Sequence, residues 1–220
     1  MFHFDYKDYS FWCDIGMMTP LQYIRMINIL EECKPKRICE LGSGQSTDIF
    51  NAYAKKYVAS ICSIEHDIHW NTHNSIMMPL VENTQLAVNS HTYGTCTRYD
   101  GFELWLENED KFDFVFVDAP NDGIPFNPLN IRYARVQTLD FVLMDKLTDE
   151  SVLMYHDSER ESAQNTLVEF QKLLEEYGYS YEKEIIIEKD IEVSEYNKRV
   201  LGVCPELTIY KIKKYGNKDI

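Results

Sequence analysis

The sequence lacks any run of apolar residues long enough to span a membrane, although apolar residues make up 45% of its 220 positions. Basic residues are scarce: the chain has 22 lysines and arginines but 36 aspartates and glutamates, which gives a formal net charge of −14. Proteins that bind nucleic acid normally carry a basic patch for the phosphates. The charge balance therefore argues against DNA or RNA as a partner.

The sequence also lacks a signal-peptide pattern and any C-x-x-C pair. Residues 1–10 mix aromatic and charged side chains, without a basic start followed by an apolar centre. The six cysteines are scattered, and Cys39 and Cys62 stand in apolar runs, where cysteine behaves as a small hydrophobe. We expect a cytoplasmic protein with reduced thiols, without a disulfide framework and without a membrane partner.

Short apolar segments alternate with amphipathic ones along the chain. Thr19 and Pro20 predict a helix start, since threonine caps a helix and proline fits its first turn. The repeated strand–helix alternation predicts an α/β fold, with an open parallel sheet covered by helices on both faces. We expect one domain over residues 1–220, in which 1–34 form an N-terminal arm and helix and 35–220 form the core.

The segment Arg37–Thr47 reads RICELGSGQST and predicts a short buried strand, a glycine turn and the start of a helix. The two glycines of the turn leave no Cβ in the way of a ligand. Ser46 or Thr47 is expected to cap the helix. Glu40 places a negative charge at the strand end, which suits a cationic or amine-bearing ligand better than a pyrophosphate.

Acidic residues recur where later strands end. The next apolar run closes on Glu65, about 20–25 residues after the glycines, where a carboxylate can accept hydrogen bonds from a ribose diol. The buried strand predicted at 114–117 is followed by Asp118, and Asp100 begins an Asp-Gly turn 18 positions earlier. The remaining predicted elements are a third strand near 86–88, a less regular stretch at 91–98, a helix at 131–147, a fifth strand at 151–155 and a closing antiparallel pair at 181–188 and 207–213.

The stretch ELGSGQST resembles motif I of the class I S-adenosyl-L-methionine (SAM) dependent methyltransferases. The dinucleotide motif G-x-G-x-x-G is a poorer match, because Thr47 stands at its third glycine, which disfavours a nicotinamide-dependent oxidoreductase. The resemblance runs from about residue 20 to the end of the chain. It implies a Rossmann-like three-layer sandwich, with a mostly parallel seven-stranded sheet whose last strand is antiparallel.

The resemblance also implies a cofactor, SAM, and residues that bind it. The glycine turn would hold its amino-acid half, Glu65 its ribose and Asp100 its adenine amine, with His66 near the adenine. The predicted cofactor-binding residues are Glu40, Gly42, Ser43, Gly44, Ser46, Thr47, Glu65, His66, Asp100 and Asp118.

The predicted catalytic residues are Asp118, His156 and Asp157, which follow the fourth and fifth strands. His156 is the best general base by residue type, because the imidazole pKa is near neutrality, although a packed histidine at a strand end explains it equally well. Arg160 either holds an anionic substrate group or pairs with a nearby acid.

No metal site is predicted. In divalent-metal-dependent, catechol-type O-methyltransferases, acids after the fourth and fifth strands bind magnesium, but here Ser158 stands where an asparagine or second acid follows. A hydroxyl is a poorer ligand for a hard cation, so a divalent metal stays an alternative that is not favoured. His69 and His73 could share a helix face, yet their polar neighbours indicate a solvated surface.

We therefore expect a SAM-dependent methyltransferase that acts at oxygen on a small-molecule or saccharide acceptor. A non-catalytic SAM-binding protein and an aminopropyltransferase on the same fold stay as alternatives, and a homodimer stays open. The polar loop that follows Asp118, with Asp122, Asn127 and Arg132, is expected to face the substrate. The aromatic arm at 1–18 either packs on the core or forms part of the substrate pocket.

Overall fold

The computed structural model describes residues 18–71, 75–88, 91–120, 131–187 and 205–215. The helices are α1 Pro20–Cys33, α2 Gln45–Tyr57, α3 Phe102–Glu107, α4 Gln137–Leu143 and α5 Glu161–Glu176. The strands are β1 Arg37–Leu41, β2 Ser60–Glu65, β3 Ser75–Met77, β4 Leu80–Val88, β5 His91–Tyr99, β6 Phe112–Val117, β7 Leu147–His156, β8 Tyr179–Ile187 and β9 Glu206–Lys214. Within these ranges, no helix has both the length and the apolar character needed to cross a membrane.

Seven of the strands form one sheet in the order β3-β2-β1-β6-β7-β9-β8. The first five strands in this order are parallel, and β9 lies antiparallel between β7 and β8. This arrangement confirms the predicted α/β fold and its antiparallel last strand. Strand β1 has β2 on one side and β6 on the other, so the strand order reverses there, and ligands of such sheets bind at the carboxyl ends beside this point.

Helix α1 begins as predicted, at Thr19 and Pro20. The Thr19 backbone N–H donates to the Gln22 side chain at 2.9 Å, and the Gln22 N–H donates back to the Thr19 hydroxyl at 3.4 Å. The Gln22 amide also donates to the carbonyl of Pro205 at 2.8 Å. The side chain of Gln22 therefore fixes both the start of the helix and its position beside β9.

The middle of the sheet is buried on both faces, as the alternation of β6 shows. Phe114 and Phe116 pack on the face covered by α2, each with its ring centroid 5.7 Å from that of Phe50. Val115 and Val117 point to the opposite face, which α4 and α5 cover. Strand β6 is thereby held between two apolar layers, with its carboxyl end at the switch point.

Residues 86–88 lie in a strand, as predicted, but this strand is not the third strand of the main sheet. Residues 86–88 belong to β4, which pairs with β5 in a separate antiparallel sheet of two strands, and β5 includes the stretch expected to be irregular. The third strand of the main sheet is β3, which pairs with β2 over Ser75–Met77. This strand has only three residues, too few to show a strand period in the sequence.

The predicted helix at 131–147 is also too long. The N–H groups of Arg132 and Tyr133 donate to the carbonyl of Thr95 on β5, so this part of the chain follows β5. Arg135 has a φ of 54°, a left-handed conformation that does not continue a helix. Helix α4 starts only after it. The other predicted segments at 1–17, 121–130 and 190–204 lie outside the described residues.

Candidate active site

The turn after β1 lies in close contact with the end of β6. The N–H groups of Asp118 and Ala119 both donate to the carbonyl of Leu41 at 2.8 Å. Gly42 has a φ of 97°, and a Cβ on it would lie 2.6 Å from the Cβ of Ala119. Glycine is therefore required at 42, both for its backbone conformation and for the close approach. A Cβ on Gly44 would meet no atom of the described residues within 4 Å.

A cavity of about 220 Å³ opens at the carboxyl ends of β1, β2, β6 and β7. Seven of the predicted cofactor-binding residues line this cavity, Asp118 among them. The predicted catalytic residue Asp157 also lines it, beside Asp118. The lining residues are Met18, Tyr23, Gly42, Ser43, Gly44, Gln45, Ser46, Glu65, His66, Asp67, Trp70, Asp118, Ala119, Arg135 and Asp157. The glycine turn and the acids Glu65, Asp118 and Asp157 thus meet in one concave site.

Glu65 is an anionic carboxylate in the wall of this cavity. Its Oε2 accepts the N–H of Ser43 at 2.8 Å, and its Oε1 accepts the N–H groups of His66 and Asp67 at 2.7 and 2.8 Å. Burial raises its pKa, but the His66 side chain and these backbone donors outweigh burial, so that its pKa is lowered. The carboxylate is held in place by the turns after β1 and β2.

Glu40 does not line the cavity; it lies behind the turn. Its carboxylate accepts hydrogen bonds from the hydroxyls of Ser46, Thr47 and Ser63 at 2.6, 2.8 and 2.6 Å. Complete burial raises its pKa to about 7, against the effect of these donors. Glu40 therefore ties the start of α2 to β1 and β2.

The prediction that Ser46 or Thr47 caps α2 is wrong, because the N-cap is Gly44. The Thr47 hydroxyl accepts the Gly44 N–H at 2.9 Å while it donates to Glu40, so it serves the turn from inside the helix. Buried Glu40 draws both hydroxyls inward, which leaves the cap position to glycine.

At the other end of the cavity, β6 and β7 bring Asp118 and His156 together. His156 Nδ1 lies 2.8 Å from Asp118 Oδ1, and its Nε2 lies 3.7 Å from Asp157 Oδ1. Burial alone lowers the pKa of His156, but the charges of Asp157 and Asp118 outweigh burial and raise it. His156 is fully buried and does not line the cavity, whereas Asp118 does. The imidazole therefore stands behind the carboxylate that a ligand would meet.

Arg135 is a cavity residue that the sequence analysis missed. Its side chain is 3% exposed, and its Nη2 lies 3.3 Å from Asp157 Oδ2 and 3.6 Å from Asp118 Oδ1. Its Nε donates to the carbonyl of Pro120 at 3.4 Å, and its Nη1 donates to the carbonyl of His156. One guanidinium thus joins the ends of β6 and β7. No local sequence pattern indicated that Arg135 lies in the site, because the predicted helix placed it on a regular helix face.

Asp157 has a second arginine partner. Arg160 Nη2 lies 2.7 Å from Asp157 Oδ2, so of the two roles considered for Arg160 the structure shows the pairing with a nearby acid. The pKa of Asp157 is lowered, because His156 and the two arginines outweigh the opposing effect of burial.

Two other predicted residues lie away from the cavity wall. Asp100 is exposed in the turn between β5 and α3, and its contact with adenine stays a prediction. Thr47 is buried behind the turn. His69 is exposed, and His73 lies outside the described residues. The lining residues that sequence reasoning did not select are Met18, Tyr23, Gln45, Asp67, Trp70, Ala119 and Arg135.

The sheet order and the glycine turn at the switch point define the class of fold: it is the fold of the class I SAM-dependent methyltransferases. Comparison with protein-family models finds no match, and comparison with curated proteins finds none. Solved structures do match. The O-methyltransferase TomG from Streptomyces achromogenes, in complex with SAM, is 11% identical with a TM-score of 0.52, over 89% of this chain and 81% of that one. A cofactor-bound protein from MTB is 10% identical with a TM-score of 0.51, over 90% and 82%.

Proposed function

We propose that this protein is a SAM-dependent methyltransferase that acts at oxygen on a small-molecule or saccharide acceptor. The observation that carries the proposal is the cavity at the switch point. The bare backbone of the glycine turn forms one of its sides, the Glu65 carboxylate another, and Asp118 stands at its far end. A nucleoside with a charged amino-acid tail needs a polar cradle of this kind, with room for backbone contact.

The residues present fit this cofactor. Gly44 lines the cavity, and no atom of the described residues lies within 4 Å of where its Cβ would be, so a ligand can approach the turn closely. Glu65 Oε2 accepts the Ser43 N–H at 2.8 Å, while the Ser43 hydroxyl lies 3.4 Å from this oxygen and 2.7 Å from the carbonyl of Trp70. A carboxylate oxygen can accept more than one hydrogen bond, which suits a ribose hydroxyl. We assign the ribose to Glu65 and the amino-acid half to the turn at 42–44, with His66 beside the adenine.

SAM supplies a methyl group that is already activated by its sulfonium. The chain therefore has to hold the acceptor hydroxyl in line and to take its proton. Asp118 and Asp157 both line the cavity at this end, but the Asp157 side chain is 3% exposed and is held by two arginines, whereas that of Asp118 is 29% exposed. We therefore assign proton removal to the Asp118 carboxylate. His156 would orient that carboxylate through the 2.8 Å contact of Nδ1. The proposed general base is therefore Asp118, whereas residue type alone had favoured His156.

Transfer to oxygen is supported by the structural similarity to TomG, which is an O-methyltransferase. The net charge of −14 supports a small-molecule or saccharide acceptor, because it disfavours a nucleic-acid acceptor.

Isothermal titration calorimetry tests the proposal. S-adenosylhomocysteine, the product form of the cofactor, should bind at micromolar concentration, and NAD should give no heat of binding. A methyl-transfer assay with labelled SAM and a panel of phenols, sugars and amines would then identify the acceptor. Failure of both SAM and its product to bind would remove the proposed function. Binding with no transfer to any acceptor would favour a non-catalytic SAM-binding protein.

A further inference from the structure

Asp118, His156 and Asp157 offer donor atoms within 4.8 Å of one another, the kind of cluster that can hold a metal ion. Catechol-type O-methyltransferases, which this chain resembles in part, place magnesium at these strand ends. We infer that the guanidinium of Arg135 takes the place of that divalent cation here, so that methyl transfer by this chain is metal-independent. The statement about methyl transfer rests on the proposed function, whereas the metal-binding test does not depend on it.

The first argument is the position of the guanidinium. Arg135 Nη2 lies 3.3 Å from Asp157 and 3.6 Å from Asp118, so one cation bridges the acids that follow β6 and β7. Hydrogen bonds to the carbonyls of Pro120 and His156 hold the group from the same two strand ends. A planar guanidinium can make such contacts at once, whereas an ammonium is a point charge.

The second argument is that one oxygen of each acid is already engaged. Asp157 Oδ2 accepts from Arg160 Nη2 at 2.7 Å as well as from Arg135, and Asp118 Oδ1 lies 2.8 Å from His156 Nδ1. Magnesium needs oxygen ligands at about 2.0–2.1 Å in near-octahedral geometry. A divalent ion bound to the other oxygen of each acid would lie beside two guanidinium charges, which repel it.

The third argument is the residue after Asp157. In the metal-dependent pattern, an asparagine or acid at this position supplies a further ligand. Here Ser158 is fully buried, and its hydroxyl lies 2.7 Å from the hydroxyl of Thr208 on β9. The side chain is therefore turned into the sheet and away from the acid pair, so this position adds no ligand to the cluster.

This arrangement bears on the acceptor. A metal-bound acceptor is chosen for two neighbouring oxygens that can chelate, as in a catechol. Asp118 can instead take the proton of one isolated hydroxyl, with Arg135 as a positioning residue that fixes the carboxylate. We therefore expect the protein to methylate acceptors with a single hydroxyl as readily as vicinal diols.

Electron paramagnetic resonance of Mn²⁺ tests the inference on the whole protein, alone and with saturating S-adenosylhomocysteine. The wild type should leave the signal of free Mn²⁺ unchanged at millimolar metal. The variant Arg135→Met removes the guanidinium and keeps the side-chain length, so it should gain bound Mn²⁺, and adding Asp157→Asn should abolish the gain. Lys55→Met, at an exposed cation in the last turn of α2, should behave as the wild type.

Micromolar Mn²⁺ binding by the wild type that Asp118→Asn removes would overturn the inference, and so would a folded Arg135→Met variant that binds none. Should that variant not fold, Arg135→Lys provides the second comparison, because a lysine cannot bridge both acids and should allow partial Mn²⁺ binding. Loss of the proposed cofactor role would show separately, as absent binding of S-adenosylhomocysteine. Once an acceptor is known, EDTA should leave the wild-type rate unchanged.

Discussion

His156 Nδ1 and Asp118 Oδ1 lie 2.8 Å apart, although the two residues are 38 positions apart in the sequence. The contact exists because β6 and β7 are parallel neighbours whose carboxyl ends meet at one edge of the sheet. His156 Nε2 has no hydrogen-bond partner among the described residues and faces Asp157 Oδ1 at 3.7 Å. The charges of the two carboxylates favour an imidazolium between them, in agreement with the raised pKa of His156.

His156→Gln should therefore change how stability depends on pH. Because the folded-state pKa is raised, the charged imidazole stabilises the fold fully below its unfolded value of 6.5, and this contribution is lost as pH rises through the folded pKa. The variant should be less stable on the order of 3 kcal/mol at pH 6, and the difference should shrink at higher pH. Urea unfolding across this range measures it. His69→Gln, at an exposed position, serves as the control, and equal pH profiles for wild type and His156→Gln would contradict the charged imidazole.

Glu40→Gln should remove a pH dependence of the same sign, in a lower pH range. The carboxyl of Glu40 has its pKa raised to about 7, so the folded protein prefers the neutral acid, and stability falls as pH rises from the unfolded value towards the folded one. The neutral glutamine removes this loss, which corresponds to roughly 3 kcal/mol between pH 4.5 and 7. Urea unfolding at intervals over this window should give a flatter profile for the variant. Asp140, whose pKa is also raised to about 7, keeps its own share of the slope, so some fall should remain in both proteins. A steeper fall in the variant would refute the assignment.

Much of the fold could be predicted because its signals are local. The capped start of α1 at Thr19, the buried run of β6 and the glycine turn each show a pattern within a few residues. Strand β3 shows none, since it is three residues long and exists through its pairing with β2. The two-stranded sheet of β4 and β5 is likewise a product of pairing, which the sequence of either strand alone does not specify.

The same distinction holds in the site. Glu65 could be placed from its spacing after the glycines, because the unit of strand, helix and strand fixes that distance in three dimensions. Arg135 could not, because it reaches the site only through a left-handed residue between an irregular segment and α4. Nor could the sequence show that Glu40 turns inward, since only the folded chain brings the hydroxyl of Ser63 to its carboxylate.

Glu65→Ala should weaken the binding of S-adenosylhomocysteine, through loss of the contacts assigned to the ribose. We expect a loss of about 1–3 kcal/mol, measured by calorimetry at constant temperature and salt. Asp149→Ala removes an exposed acid at the far end of β7 and should leave the affinity unchanged. The free energy of unfolding should be measured in parallel, because Glu65 also accepts three backbone N–H groups. Unchanged affinity in a folded Glu65→Ala variant would remove Glu65 from the binding site.

Gly42→Ala should destabilise the protein far more than Gly178→Ala. Both glycines have positive φ angles, 97° and 77°, so an alanine pays a similar backbone cost of about 1–2 kcal/mol at each. A Cβ at Gly178 meets no atom of the described residues within 4 Å, whereas at Gly42 it would lie 2.6 Å from the Cβ and 2.9 Å from the backbone N of Ala119. Relief of that overlap must move the turn away from the end of β6, at a further cost of about 1–3 kcal/mol.

The two alanine variants separate conformation from contact. Urea unfolding gives the difference between them, and calorimetry with S-adenosylhomocysteine shows whether the moved turn still binds. We expect Gly178→Ala to bind as the wild type does. Gly42→Ala should bind more weakly even where it stays folded, because Asp118 and Ala119 donate hydrogen bonds to the carbonyl of Leu41, directly before this turn. Equal stability of the two variants would mean that the turn can shift without strain. Its tight contact with β6 would then not be what holds the cavity in shape.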